Sequence, residues 1–595
     1  MKKDFLAAEI EVDVLKEQSM AHHAQSLVLG RTFLFFAAIF AAAAGYDQHS
    51  LLLYSLAIAL AALFLCLLQL HSRLRRQQLL LQGHMAVLKD YTARFDGSWR
   101  HFPDDGTAFL REDTPQASDL SLFGPDSFYQ YLSAARTQAG RQRLADALQP
   151  APPDFAELHA RQQAAAEFME RSRLAFDLQG IARLLPEGHD VRPLLAEIAQ
   201  ETTTPTPVFL WIIRLLPLLT LGSLLAAALD FLSWLPGALL VLLQLTLTLP
   251  LVTRHNAALK PLQHFSRELA VYAQLLARLE ELDFHSPRLR ALAERLQAGG
   301  GASLALQKLA RISDFAEMRY NFFFFLLANA LLLWDFHCRA LFQRWQARTA
   351  GALPDWLAVW SECELLMSLA VVGQTRENCC FPELLTESAP RLQARDLQHL
   401  LLDEAQGVPN DIEVRSETRI ITGSNMSGKT TFLRTLASSV VLAWAGAPVC
   451  AAQFGLTRLH VFTSIRVTDD ITKGLSTFYA ELLRIKSMVE FAKKKTPMLI
   501  CIDEIFKGTN SADRIIGARA AIERLTGPQN ITLVSTHDFE LCDLLSPNDT
   551  PVTNYHFAET YDVEGHIHFD FRLQPGRCQT TNAKYLLRLA GILDE

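Results

Sequence analysis

The chain has 595 residues, half of them hydrophobic and only 20% charged, with a net charge of −7. That length accommodates several domains, and the positive mean hydropathy is high for a chain without membrane segments. The acidic balance gives no global case for nucleic-acid binding, which relies on a basic face. The nine scattered cysteines, without a C-x-x-C spacing, read as reduced thiols rather than bridges or a metal site.

Residues 1–25 read as a polar, partly helical lead-in. They lack the basic start and apolar middle of a cleavable signal peptide. Residues 32–46 are apolar, Asp47-Gln48-His49-Ser50 interrupts, and 51–70 is apolar for about twenty residues, enough for a helix across a ~30 Å hydrocarbon layer. Region 26–76 is therefore expected to be a transmembrane hairpin. Residues 77–205 read as a cytosolic helical segment with a break at Pro150, Pro152 and Pro153. A second hairpin is expected over 206–253, where 208–229 is apolar except for Arg214 and 235–252 except for Gln244. The alternative is four buried core helices. Neither tip, 47–50 or 230–236, carries Lys or Arg, whereas Arg31, Arg73, Arg75, Arg76, Arg254 and Lys260 flank the opposite ends. The positive-inside rule places the tips outside and the rest in the cytosol. The expectation is a multi-pass integral protein of the inner or plasma membrane, with its N-terminus and C-terminal domain cytosolic.

Residues 254–392 read as a helical lever or core. In 254–297, Leu269, Tyr272, Leu275, Leu276, Leu279 and Leu282 share one face, as in a long amphipathic helix or a helix pair. The run 321–334 is short for a span and is expected to be a core helix rather than a fifth crossing. The run 355–373 is also assigned to the core. From about 393 short apolar runs alternate with helical ones, the pattern of a parallel sheet with helices on both faces.

Three sites in 393–595 carry chemistry. Gly423-Ser424-Asn425-Met426-Ser427-Gly428-Lys429-Thr430 reads GxxxxGK[ST], a phosphate-binding loop, between an apolar strand at 419–422 and a helical run from Thr431. Backbone amides and the helix N-terminus favour phosphate there. Lys429 is placed to reach the outer phosphates of ATP, and Thr430 to offer its hydroxyl to Mg2+. The run 497–504 ends in Asp503, placed to hold Mg2+ through water, and Glu504, placed to polarise the attacking water as general base. The run 531–536 ends at His537, which is placed to reach the outermost phosphate.

GSNMSGKTTFLRT (423–435), TDDITKGLSTFYAEL (468–482), LICIDEIFKGTNSADR (499–514) and LVSTHDFEL (533–541) occur in an order and spacing that resembles the MutS-type ATPase domain, an α/β P-loop fold of the ABC/MutS type. DLSLFGPDSFYQYLSAARTQAGRQRLADALQPAPPD (119–154) is similar to the start of the MutS core, and YLLRLAGI (585–592) to that family's C-terminal helix. The resemblance implies a homodimer with composite ATP sites. Asn425 would touch the γ-phosphate, Thr431 and the loop would hold the nucleotide, and Ser476 would reach across to the partner's nucleotide. Read from spacing alone, Ser476 is a helix N-cap, and with the resemblance both roles can hold. Ser424 and Ser427 stand where repair members usually carry Pro and Gly, and Phe506-Lys507 where they carry Gly-Arg. No Phe-x-Glu mismatch-reading domain is found, so mismatch recognition is not expected.

The function expected from these readings is a membrane-anchored MutS-like ATPase, switching a helical core that acts on DNA or on an unidentified protein partner. DNA stays open. Arg267, Arg278, Arg288, Arg290, Arg295, Lys308, Arg311 and Arg319 lie in 254–320 but are diluted by acids. The alternatives are an ABC-type ATP-driven transporter, for which 474–477 lacks the LSGGQ signature, and a non-catalytic ATP-dependent membrane tether.

Overall fold

The computed structural model describes residues 2–578 apart from 49, 112–113, 199–204, 255–258, 260–261, 263–264, 299, 467–476, 508–510, 546–548 and 562–566. Ser476, Lys260 and the 585–592 run lie outside the described residues.

The N-terminal half begins with two antiparallel helices of 46 residues each, Lys2–Asp47 and Leu51–Asp96. At 1.5 Å per residue each is roughly 70 Å long, more than twice a bilayer core. The expected separate lead-in is therefore corrected. Residues 2–25 are the lower half of the first helix, and the hairpin runs to Asp96 rather than 76. Polar residues there find partners across the pair: His84 Nδ1 lies 2.9 Å from Asp13, and Gln82 donates to Glu17 at 2.6 Å. Lys2 Nζ donates to the carbonyl of Arg376 at 2.7 Å, and Leu6, Val87, Leu88 and Tyr91 enter the core, so the foot of the hairpin is anchored in the protein body. Its upper part presents Phe33, Phe36, Phe40, Ile58, Leu63 and Leu65 to the exterior.

The second hairpin, Pro207–Ala228 and Trp234–Thr248, turns at Asp230, whose φ is 60°. Most of its surface is exposed and apolar. Inside it, the buried Gln244 amide donates to Thr220 Oγ1, a side-chain hydrogen bond of the kind that joins helices in an apolar medium. By length and composition five described helices are able to cross a membrane, but one of them, Leu353–Thr375, is almost wholly buried in protein, as expected of a core helix.

The run 321–334 is not the core helix expected. Helix Phe322–Leu332 packs beside the second hairpin with Phe322, Phe323 and Leu327 exposed, and only Ala328, Asn329 and Ala330 are buried. The chain then bends by 82° through Leu333, which is left-handed at φ 51°, into Trp334–Thr349. Asn329 Oδ1 accepts from the Asp335 amide at 3.0 Å, and Arg319 pairs with Asp335 at 2.8 Å, closing the bend. Composition alone does not show which side of so uniformly apolar a helix meets protein.

The segments 77–205 and 254–392 also are not separate bodies. Phe168, Leu178, Leu185 and Leu194 share one apolar cluster with Leu269, Leu276, Leu309, Trp345 and Trp360, so the second hairpin is an insertion in a single helical unit. The expected amphipathic stretch is a helix pair, Ser266–Glu281 and Pro287–Gln297.

The C-terminal half contains β1 (Glu383–Leu384), β2 (Arg391–Leu397), β3 (Asn410–Arg415), β4 (Thr418–Thr422), β5 (Gln453–Leu456), β6 (His460–Ser464), β7 (Met498–Asp503), β8 (Asn530–Ser535), β9 (Val552–Tyr561) and β10 (Ile567–Pro575). They form two sheets, ordered β1-β5-β2-β3 and β10-β9-β4-β8-β7-β6. The expected parallel sheet is thus a mixed one. β9, β4, β8, β7 and β6 are parallel, whereas β10 pairs antiparallel with β9, and the smaller sheet is mostly antiparallel. Helices cover both faces of the larger sheet. Ile421, Leu499, Cys501 and Leu533 pack with Leu433, Leu436 and Val440 of helix Lys429–Ala445. Ile420, Ile500, Ile502 and Val534 pack with Ile485 and Met488 of Thr477–Ala492 and Ile522 of Ser511–Leu525. Near-continuous apolar strands are what two covered faces require. The C-terminal ends of β4, β7 and β8 lie side by side, and ligand crevices form at that edge of an open α/β sheet.

Candidate functional site

Leaving β4, the chain turns through Gly423 (φ 150°), Met426 (φ 70°) and Gly428 (φ 105°) into helix Lys429–Ala445. The two glycines are required by space as well as by φ. A Cβ at Gly423 would stand 2.8 Å from Ser427 Oγ, and one at Gly428 would stand 3.1 Å from the Phe571 ring. Lys429, only 5% exposed, folds back over the loop and donates to the carbonyls of Gly423 and Ser424, both at 2.8 Å. Burial pushes its pKa down, while Glu504 and Asp503 act in the opposite direction.

Asp503, at the end of β7, accepts from Thr430 Oγ1 at 2.8 Å through Oδ2 and from Ser535 Oγ through Oδ1. Glu504 follows in a left-handed conformation, φ 54°, and its amide donates to the Ser535 carbonyl at 3.0 Å. This turn separates the two carboxylates. Glu504 Oε1 receives His537 Nε2 at 3.0 Å, and Lys507 Nζ lies 3.4 Å from Glu504 and 3.9 Å from Asp503. The hydrogen bond from His537, seconded by Lys507, pulls the Glu504 carboxyl down to about 2 against the effect of burial.

A cavity of about 310 Å³ opens beside the loop. It is lined by 425–432 and Glu504, by the 397–410 region and by Phe557 and Phe571. The buried hydroxyls of Ser424 and Ser427 have no hydrogen-bond partner among the described residues. Unpaired buried donors beside a helix N-terminus and an ammonium fit a phosphate group. The Thr430–Asp503 pair supplies the hard oxygen donors that a hydrated divalent cation such as Mg2+ takes.

Of the residues singled out in sequence, Gly423, Ser424, Asn425, Met426, Ser427, Gly428, Lys429, Thr430, Thr431, Asp503, Glu504 and His537 meet at this one edge of the sheet. His537 is the one in an unexpected position, bound to Glu504. Sequence reasoning missed Ser535, Lys507, His399 and Asn410. Ser535 had a signal, a hydroxyl where an apolar strand ends beside Asp503. Asn410 had none: its amide donates to the Phe571 carbonyl at 2.9 Å and its Oδ1 accepts from Leu573 at 2.7 Å, a link between β3 and β10 that only tertiary structure reveals. His399 lines the cavity against Phe128, ring centroids 5.5 Å apart, and burial pulls its pKa down to about 4, so it is neutral at pH 7.

The Glu504–His537 contact gives a test by pH. With His537→Ala the largest downward influence is gone, and the Glu504 carboxyl moves up towards its ordinary value of 4.5. Protonation of Glu504 then begins at higher pH. The pH profile of kcat/KM, which reports the nucleotide-free enzyme, acquires an acid limb below about pH 5 in the variant that wild type lacks.

Comparison with known proteins bears on the same half of the chain. The family profile for MutS domain V matches residues 419–594. A DNA mismatch repair protein MutS of Roseiflexus sp. (strain RS-1) is 38% identical over 194 residues, 31% of this chain and 17% of that protein. The MutS proteins of Streptococcus gordonii and Streptococcus pneumoniae serotype 19F are 32% and 33% identical over 237 and 239 residues, in each case 38% of this chain and 27% of theirs. The chain thus matches between 17% and 27% of the length of these curated relatives.

Proposed function

Because the chain is a MutS-family protein through its C-terminal domain, we propose that it is a membrane-anchored ATPase. It binds Mg-ATP at composite sites of a homodimer and uses hydrolysis to switch its helical half. The observation that carries this reading is the Thr430–Asp503–Ser535 chain beside a loop with two unpaired buried hydroxyls and a buried lysine. Amides at the start of helix Lys429–Ala445, with Ser424 and Ser427, receive the phosphates, and Lys429 leaves its two loop carbonyls for the outer ones. Thr430 and Asp503 would hold Mg2+, which would supply charge neutralisation when bound. Glu504 orients the attacking water, although with its carboxyl at about 2 it is a weak proton acceptor. When His537 turns from Glu504 to the outermost phosphate, the carboxylate becomes a stronger base. Nucleotide sensing and base activation are thereby one movement. Ser476 of the partner subunit completes the site.

The test is Mg-dependent ATP turnover by the purified, lipid-embedded protein, measured against protein concentration. A rate per subunit that rises as the dimer forms supports the composite site. Turnover indistinguishable from buffer removes the ATPase reading and leaves a tether.

The membrane part of the proposal rests on the two exposed apolar hairpins. The exposed phenylalanines of helix Phe322–Leu332, beside the second hairpin, belong to the same apolar layer. Cys66, exposed on the upper part of the first hairpin, is a native probe. In intact vesicles Cys66 is expected to resist a water-soluble maleimide and to react once detergent is added. Labelling in intact vesicles at the rate of a free thiol contradicts the assignment. DNA enters only through the names of the relatives. Among the basic residues of 254–320, Arg278, Arg288, Arg295 and Arg319 face Glu281, Glu362, Asp355 and Asp335. The proposal therefore assigns no DNA contact to this surface.

A further inference from the structure

Two buried carboxylates lie outside the site, and one helix joins them. Asp119 ends helix Pro115–Asp119 in the N-terminal half, and its side chain is fully buried. Its Oδ2 accepts from Thr463 Oγ1 at 2.7 Å and from the Ile465 amide at 3.0 Å, and its Oδ1 accepts from the Arg466 amide at 3.1 Å. Arg484 Nη1 lies 3.0 and 3.2 Å from the two oxygens. Gln116 donates to the Val461 carbonyl at 3.3 Å. β6 is the outermost strand of its sheet, so this short helix covers an edge that is otherwise open to pairing.

Arg484 belongs to helix Thr477–Ala492, and one turn earlier the same helix carries Glu481. Glu481 is buried too, and its Oε1 accepts from the Phe506 amide at 2.6 Å. Phe506 (φ 61°) and Glu504 (φ 54°) are both left-handed, a conformation that residues with a Cβ rarely adopt unless their surroundings hold them there. Glu481 supplies that hold at the turn that aims the Glu504 side chain.

We infer that Asp119 and Glu481 are positioning residues for Glu504. Asp119 fixes helix Thr477–Ala492 through Arg484, and Glu481 on that helix fixes the 504–507 turn. The path begins where the first hairpin enters the body. Helix Leu51–Asp96 leads into the segment that carries Asp119, and near its end Arg94 donates to the carbonyls of Tyr131 and Ser133 at 2.7 and 2.9 Å. The link from Asp119 to the candidate base does not pass through the phosphate loop. The inference rests on the reading of Glu504 as the group that orients water.

Asp119→Asn and Glu481→Gln test it in the full-length, lipid-embedded protein. Each is expected to lower kcat about tenfold while the nucleotide dissociation constant stays within about twofold, because neither touches the loop. The double variant is expected to be no worse than the weaker single one, since residues that act along one path are not additive. Hydrogen exchange of the 504–507 amides without nucleotide is expected to quicken about tenfold in both variants. If Asp119→Asn does not fold, Arg484→Gln breaks the same link from a partly exposed position. Unchanged exchange at 504–507 in the folded variant, or additive losses in kcat, overturns the inference. Wild-type protein without turnover defeats the ATPase reading instead, and the exchange measurement still decides the link.

Discussion

Glu504→Gln is expected to bind Mg-ATP and keep it. The substitution preserves the shape of a side chain held in a left-handed turn, and its carbonyl oxygen still accepts from His537, so the site is not dismantled. Among the described residues, it removes the one carboxylate that lines the cavity. Loss of a positioned base lowers turnover by about 10²–10⁴-fold. Removing a negative charge beside a triphosphate leaves affinity equal or stronger. Single-turnover hydrolysis measured beside equilibrium binding separates the two effects. Turnover within a factor of two of wild type would assign the chemistry to another residue.

Lys429→Ala is expected to do the reverse and weaken nucleotide binding sharply. A charge-assisted bond to phosphate contributes about 1.5–3 kcal/mol, so truncation weakens affinity by roughly 10- to 150-fold. A second cost falls on the protein itself. Lys429 donates to the carbonyls of Gly423 and Ser424, and the variant leaves both without that partner. The loop then holds its shape less well, and Tm falls slightly even without ligand. The decisive quantity is therefore the Tm increase caused by saturating Mg-ATP, which isolates binding from intrinsic stability. At the same Mg-ATP concentration Lys429→Ala shows a clearly smaller increase than wild type. An equal increase in both removes Lys429 from the site.

How much of this was legible in the sequence follows from how locally each feature is encoded. β4, β7 and β8 were readable because each is an apolar run that ends on a chemically distinctive residue, and both flanks of the glycine-rich loop are local. The four expected hairpin helices are present because about twenty apolar residues leave few other options. Positions set by distant packing were not legible. Residues 2–25 look like a lead-in by composition, yet Leu6 enters the core and Asp13 meets His84 from the opposite helix. The segments around Phe168 and Leu276 share a core across an inserted hairpin, which no periodicity reports. The antiparallel β9–β10 pair carries polar and aromatic residues in place of an apolar run, so the mixed sheet was read as parallel. Asp119 stood in plain view within the 119–154 run, but its partners lie more than 340 residues away.

The central claim is that the loop at 423–430 and the Asp503–Glu504 pair together receive a magnesium-bound triphosphate. Isothermal titration of Mg-ATP into the folded, lipid-embedded protein tests it most directly. The account predicts saturable heat in wild type and in Glu504→Gln, and at least tenfold weaker binding in Lys429→Ala. Absence of saturable heat in well-folded wild-type protein contradicts it.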